Sequence, residues 1–213
     1  MPFALVTGAS KGIGKSIAEL LAARGYDLLL VARSADLLEN VSIEIHNKTS
    51  RNCQWFAVDL SGDQAAESVF AWCEKNQYEV AVLVNNAGYG LSGLFEKYSE
   101  QEHADMLHVN IITLTKLTRL FLPSMLKLKA GYILNIASTA AYQAVPYLTA
   151  YAASKAYVLS FSRGLWQELR KTSVSVTCIC PGPTDTNFVH RAHVGAARGP
   201  GRKTAGLETT VAD

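Results

Sequence analysis

The feature that most constrains this chain is the octapeptide Thr7-Gly8-Ala9-Ser10-Lys11-Gly12-Ile13-Gly14. It leaves the apolar run Phe3–Thr7 directly and enters the amphipathic stretch Ile13–Arg24. Three glycines in a first strand-to-helix turn let the backbone fold tightly and approach a ligand that any Cβ would obstruct. The amides opening the next helix then face an anion, which the helix dipole favours. The spacing is G-x3-G-x-G, not the commoner G-x-G-x-x-G fingerprint. Glycines also serve plain turns, so position carries the reading: the first β-α turn is where a doubly wound sheet holds a pyrophosphate.

The rest of the chain repeats the same unit. Strand-like runs at Phe3–Thr7, Asp27–Ala32, Gln54–Val58, Val80–Val84, Tyr132–Ala137 and Val174–Ile179 alternate with helix-like stretches. Those stretches are Ile13–Arg24, Ala35–Lys48, Asp63–Asn76, Glu100–Lys129 and Ala150–Lys171. Several strands are apolar throughout, as parallel strands covered on both faces are. The expected fold is α/β: a Rossmann-like doubly wound parallel sheet in three α/β/α layers, a single domain over residues 1–187. With 213 residues, 49% of them hydrophobic, the chain can build a core without a disulfide or metal staple. The composition shifts near His190, after which four glycines and no aromatic residue occur. Residues 188–213 therefore read as a mobile C-terminal segment placed like a substrate loop.

Charge excludes some partners. Lys plus Arg number 20 and Asp plus Glu 18, a net +2, which gives no strong attraction to nucleic acid or an anionic membrane. The arginines and lysine of the tail (Arg191, Arg198, Arg202, Lys203) read as a solvated loop rather than a nucleic-acid or adaptor surface. No apolar run nears the ~18 residues of a membrane span, and no basic-then-apolar leader opens the chain, so a cytoplasmic protein is expected. Cys53, Cys73, Cys178 and Cys180 lack metal-ligand spacing, so no metal site is expected and they read as small buried hydrophobes. His190 and His193 read as loop histidines.

The second strand distinguishes the dinucleotides. A carboxylate at its end would take the ribose 2′-hydroxyl and repel a 2′-phosphate. Here it ends Ala32-Arg33-Ser34. Arg33 can fork onto a phosphate, Lys11 lies near the same end, and Ser34 adds a hydroxyl. NADP(H) is therefore expected over NAD(H). Farther along, Tyr151 and Lys155 are four apart on a helix and share a face. An ammonium close to the phenol would favour phenolate, which makes Tyr151 a candidate general acid and base. Ser138 falls just past a strand, at the carboxyl edge where open α/β sheets bind ligands. A lone Tyr-x3-Lys pair is otherwise an ordinary helix surface, so the combination matters.

These motifs, with Asp59, Asn85-Asn86-Ala87-Gly88, Asn110 and Pro181-Gly182 in order, make residues 1 to about 187 resemble a short-chain dehydrogenase/reductase. The resemblance implies hydride transfer between NADP(H) and a carbonyl or secondary alcohol. In it Ser138 binds the substrate oxygen, Tyr151 moves the proton, and Lys155 holds the nicotinamide ribose. Asn110 disturbs its helix and holds a relay water. It assigns cofactor contacts to Gly8, Ser10, Lys11, Gly12, Ile13, Gly14, Arg33, Ser34, Asp59 and Leu60. Further contacts fall to Asn86, Ala87, Gly88, Tyr151, Lys155, Pro181, Gly182, Thr184 and Thr186. The Asn side chains of the Asn85-Asn86 pair can also tie adjacent strands. Tyr89, Leu91, Leu94, Tyr142, Val145, Tyr147, Leu148 and Phe188 are candidates to line an apolar substrate pocket. The long helices imply a homodimer or homotetramer, with Ala152, Ala153 and Ala156 permitting close packing. The family's last strand and helix have no counterpart before Asp213, which leaves a flank of the sixth strand open or covered by a partner. The alternative is a catalytically silent NADPH-binding regulator or redox sensor, against which Ser138, Tyr151, Lys155 and Asn110 all speak.

Overall fold

The computed structural model describes residues 2–182. Six parallel strands form one sheet in the order β3-β2-β1-β4-β5-β6. They are β1 (Phe3–Thr7), β2 (Asp27–Ala32), β3 (Cys53–Ala57), β4 (Val80–Asn85), β5 (Gly131–Ile136) and β6 (Val174–Ile179). Helices α1 (Gly12–Ala23), α2 (Ala35–Thr49), α3 (Ala65–Lys75), α4 (Glu100–Leu107), α5 (Leu114–Leu128) and α6 (Thr149–Leu169) connect them. The chain winds outward from β1 to β3, returns past β1 to β4, and winds outward again. Strand order reverses between β1 and β4, and that crevice is where such sheets bind ligands.

Burial explains the apolar strands. Every residue of β4 is buried, and Leu28, Leu29, Leu30 and Val31 of β2 are completely so. Each such leucine contributes about 1.5–3 kcal/mol by leaving water. Alternate strand residues feed two cores. One contains Ala4, Val6, Leu28 and Leu30 with Ala18 and Ala22 of α1 and Leu38, Val41 and Ile45 of α2. The other contains Leu5, Leu29 and Leu83 with Val69 of α3 and Leu117, Phe121 and Met125 of α5. This is the expected three-layer arrangement.

The structure departs from the expectation at several points. The run Glu100–Lys129 is not one helix. Ser99 opens α4 with a reciprocal cap, accepting the Glu102 amide while Glu102 accepts the Ser99 amide. Residues His108–Thr113 then widen into a π-turn before α5. The helix Asp63–Asn76 is shorter, Ala65–Lys75, and β3 begins one residue earlier than expected. On α6, Ala153 and Ala156 face outward with Tyr157 and Trp166, but Ala152 is buried within the subunit and is not available to another one. Thr184, Thr186, Phe188, His190, His193 and the whole 188–213 segment lie outside the described residues. Among the described residues no helix is long and apolar enough to cross a membrane.

Candidate active site

A cavity of about 560 Å³ opens along the carboxyl ends of the strands, within the usual range of small-ligand sites. Every described residue named above as catalytic or cofactor-contacting lines it, except Asn110.

One end is the glycine turn. Gly8 and Gly12 have positive φ, +66° and +54°, which favours glycine. A Cβ on Gly14 would stand 2.3 Å from the Gly8 carbonyl oxygen, so Gly14 serves close helix-strand packing. Helix α1 starts here with no side-chain cap and no acidic residue in its first turn. Its first amides therefore remain without intrahelical acceptors beside the cavity, which suits an anion. The donor set and the absence of Cβ atoms fit a pyrophosphate.

Thr7 and Asn86 build this turn rather than merely border it. Thr7 Oγ1 donates to the Val84 carbonyl at 3.1 Å and accepts the amides of Asn86 and Ala87, both at 3.0 Å. Asn86 Nδ2 donates to the carbonyls of Thr7 at 2.9 Å and Gly8 at 3.2 Å. Both donors of that amide are thus spent on the scaffold. Asn85 bridges to Asn135 on β5 at 2.9 Å and to Thr118 on α5 at 3.1 Å.

Beside the turn, Arg33 and Asp59 face each other at 3.8 Å, both about half exposed. Such an open pair contributes at most ~1 kcal/mol and leaves the guanidinium adaptable. Burial works to raise the Asp59 carboxyl. Hydrogen bonds from the Ser61 amide and hydroxyl, with Arg33, outweigh it and hold it below the usual carboxylate range.

At the other end stand Ser138, Tyr151 and Lys155. Ser138 caps the 3-10 turn Thr139–Tyr142, its Oγ accepting the Ala140 amide at 3.2 Å. It also hydrogen-bonds the Tyr151 hydroxyl in the sense that favours phenolate. Lys155 Nζ donates to the Ile136 carbonyl at 2.8 Å and lies 5.8 Å from the Tyr151 ring centre. Burial moves both side chains toward their neutral forms. The Tyr151 phenol is pushed up by burial, which outweighs the Ser138 hydrogen bond. This corrects the expectation, drawn from the four-residue spacing, that the ammonium sets the direction. The Lys155 ammonium is pulled down to about 8 by burial, partly opposed by Cys178 and Cys180.

Asn110 sits behind Gly88 in the π-turn, fully buried. Its Nδ2 donates to the Tyr89 carbonyl at 3.0 Å and to Ser154 Oγ at 3.0 Å, and its Oδ1 accepts the Tyr89 amide at 3.1 Å. Ser154 in turn donates to the Tyr151 carbonyl at 2.7 Å. A Cβ on Gly88 would stand 2.9 Å from Asn110 Oδ1 and 3.3 Å from Lys155 Nζ, so only glycine leaves this corner open. Ser154 escaped sequence reasoning because a serine within a helix gives no sign of its depth. The same holds for Ile136, whose contribution is a carbonyl, and for Asp105 and Val109 of the cavity wall. Of the substrate-pocket candidates, Tyr89, Val145 and Leu148 line the cavity, whereas Leu91, Leu94, Tyr142 and Tyr147 do not. The cysteines behave as buried hydrophobes at Cys53 and Cys73, where burial pushes the thiols up to about 11 and about 12.

A strand order of 3-2-1-4-5-6 with a glycine turn at its reversal point defines a Rossmann-type dinucleotide fold. The sequence model of the short chain dehydrogenase family matches residues 2–205, and the chain belongs to that family. It is 35% identical over 198 residues to the chicken hydroxysteroid dehydrogenase-like protein 1, covering 92% of this chain and 60% of that one. It is 37% identical over 183 residues to the rat very-long-chain 3-oxoacyl-CoA reductase, covering 84% and 58%. The chain thus spans about three fifths of the length of these relatives. Among solved structures it resembles a short-chain dehydrogenase from Sphingobium yanoikuyae in complex with NADPH, with TM-score 0.86, 30% identity, and 91% and 76% of the two chains covered. It also resembles the L-sorbose reductase of Gluconobacter frateurii complexed with NADPH and L-sorbose, with TM-score 0.81, 30% identity, and 87% and 70% covered.

Proposed function

We propose that this chain is an NADP(H)-dependent oxidoreductase of carbonyl and secondary-alcohol substrates. One observation carries the reading: Ser138, Tyr151 and Lys155 gather at one end of a cavity whose other end is the open glycine turn with Lys11 and Arg33. The NADPH complexes of the solved relatives support the same cofactor. When bound, the nicotinamide supplies or accepts a hydride.

The chain's own residues do the rest. The α1 amides and glycine turn seat the pyrophosphate. Arg33, with Lys11 and Ser34, takes the 2′-phosphate, and Asp59 and Leu60 border the adenine. Ser138 Oγ and the Tyr151 hydroxyl hold the substrate oxygen, where negative charge grows during reduction. Tyr151 donates its proton to that oxygen and takes it back in oxidation. Lys155 is fixed by the Ile136 carbonyl and carries positive charge below pH of about 8, beside the tyrosine that must release the proton.

The test is a titration with NADPH and NADH, read by tryptophan fluorescence, alongside turnover of a ketone by wild type and Tyr151→Phe. NADPH should bind at least tenfold more tightly than NADH. The variant should bind it normally and lose turnover by about 10²-fold or more. Equal affinity for both cofactors refutes the Arg33 assignment. Near-normal turnover by the variant refutes Tyr151 as the proton donor.

A further inference from the structure

We propose that Gln143 determines specificity by hydrogen-bonding a second, uncharged oxygen of the substrate, so that the substrate is a neutral ketone bearing an ester, thioester or hydroxyl oxygen near the reacting carbonyl. The inference rests on the oxidoreductase reading above and extends it to the substrate. The segment joining Ser138 to Tyr151 contributes Thr139, Ala140, Gln143, Val145 and Leu148 to the cavity. Apart from Thr139, which adjoins Ser138, Gln143 is the only polar side chain among them.

The backbone leading to and from it is held. The 3-10 turn Thr139–Tyr142 is held by the Ser138 cap and by the Ala141 amide on the Ser138 carbonyl at 2.9 Å. Gln143 follows that turn in extended backbone. The neighbouring Tyr142 hydroxyl meets Cys180 Sγ at 3.5 Å, tying the turn to the end of β6. Downstream, the Tyr147 carbonyl accepts the Gly93 amide at 2.9 Å. Tyr147 adopts φ +68°, a conformation that bulky side chains rarely accept, so the loop is over-determined on both sides of Gln143.

Within this frame Gln143 is exposed and its amide has no hydrogen-bond partner among the described residues, so its two donors and one acceptor are open to water or to a ligand. A pocket that is mostly apolar with one placed amide orients its ligand through that amide. Charge decides which oxygen suits it. Among the described residues lining the cavity, Lys11 and Arg33 stand at the glycine end. Lys155 is the cation beside Ser138 and Tyr151, and the Ile136 carbonyl already holds it. Among the described residues a carboxylate next to the reacting carbonyl would meet no second cation, whereas a neutral oxygen is matched by the amide.

The test compares kcat/KM with NADPH for ethyl 3-oxobutanoate, 2-pentanone and 3-oxobutanoate. Wild type should prefer the ester over the free acid. Gln143→Leu should lower the ester-to-pentanone ratio about tenfold, the worth of one neutral hydrogen bond. Gln143→Arg should shift the ester-to-acid ratio toward the acid. An unchanged ester-to-pentanone ratio in Gln143→Leu, or wild type using acid and ester equally, overturns the assignment. NADPH titration of each variant reports that the fold is kept. Binding of NADPH with no turnover of any of the three ketones overturns the oxidoreductase reading itself.

Discussion

Lys155 is almost completely buried and donates to the Ile136 carbonyl, and burial holds its ammonium near 8 rather than the usual 10.5. The consequence for stability has a definite sign. Between pH 8 and 10.5 the unfolded chain keeps a proton that the folded chain has released, so stability rises with pH across that window. Below pH 8 both states are charged and the full penalty applies. Urea unfolding of the cofactor-free protein at pH 7.5 and pH 10 should show wild type gaining on Lys155→Met by on the order of 3 kcal/mol. Parallel pH dependence of the two proteins would remove burial as the cause. The sequence made the shared face of Tyr151 and Lys155 legible, because an i, i+4 spacing fixes direction on a helix. It could not show depth. Whether an ammonium or desolvation governs a phenol depends on what packs over it, and that packing comes from β5, the Ser138 turn and the π-turn. The Asn86 amide was likewise open to two readings, and its two scaffold carbonyls were visible only once β1 and β4 lay side by side.

Between elements, a buried polar chain links α5 to α6 through β4 and β5. Thr118 on α5, Asn85 on β4, Asn135 on β5 and Ser162 on α6 are all buried. Asn135 Nδ2 donates to Ser162 Oγ at 2.9 Å while its Oδ1 accepts Asn85 Nδ2 at 2.9 Å. Asn85 Oδ1 is itself buried without a partner, so the chain has no slack. Asn135→Leu should leave Asn85 and Ser162 short of a partner and destabilise the fold by about 2–3 kcal/mol. At about 2–4 °C per kcal/mol, a calorimetric Tm lower by roughly 4–12 °C is expected. A Tm within 1 °C of wild type would mean the network carries no weight. The strands themselves were legible to the residue at β1, β2 and β6: β1 and β2 are almost uniformly apolar because both faces are covered, and β6 alternates buried Val174 and Val176 with exposed Ser175 and Thr177. The break between α4 and α5 was not. Asn110 is only a mediocre helix former, and the sequence gives no count of backbone hydrogen bonds; the π-turn arises from Asn110 clasping the Tyr89 backbone.

At the scale of the molecule, several large apolar side chains lie exposed on neighbouring helices. Ile112, Leu126, Tyr157 and Trp166 are all exposed along α5, α6 and the turn before them, beside the small Ala153 and Ala156. Large exposed apolar patches mark interaction sites. The homodimer or homotetramer expected from the family resemblance would pair through these helices. Light scattering should return a mass at least twice 23.1 kDa, and Trp166→Glu should lower it toward one subunit. A monomeric wild type refutes the pairing. The reversal of strand order has one more consequence. The glycine turn belongs to the first fourteen residues, yet its closing partner is the end of β4, and Thr7 and Val84 are separated by 77 positions. No hairpin shortens that distance, since neighbouring strands all run parallel. Folding must therefore close a long loop before the central pair can form, a slow and entropically costly event. A nascent or nicked chain holding β1, α1 and β2 would possess every glycine of the cradle and still lack its other wall. Ligand binding at this seam thus acts as a clasp on the completed fold, stabilising the native chain by mass action and no partly folded one.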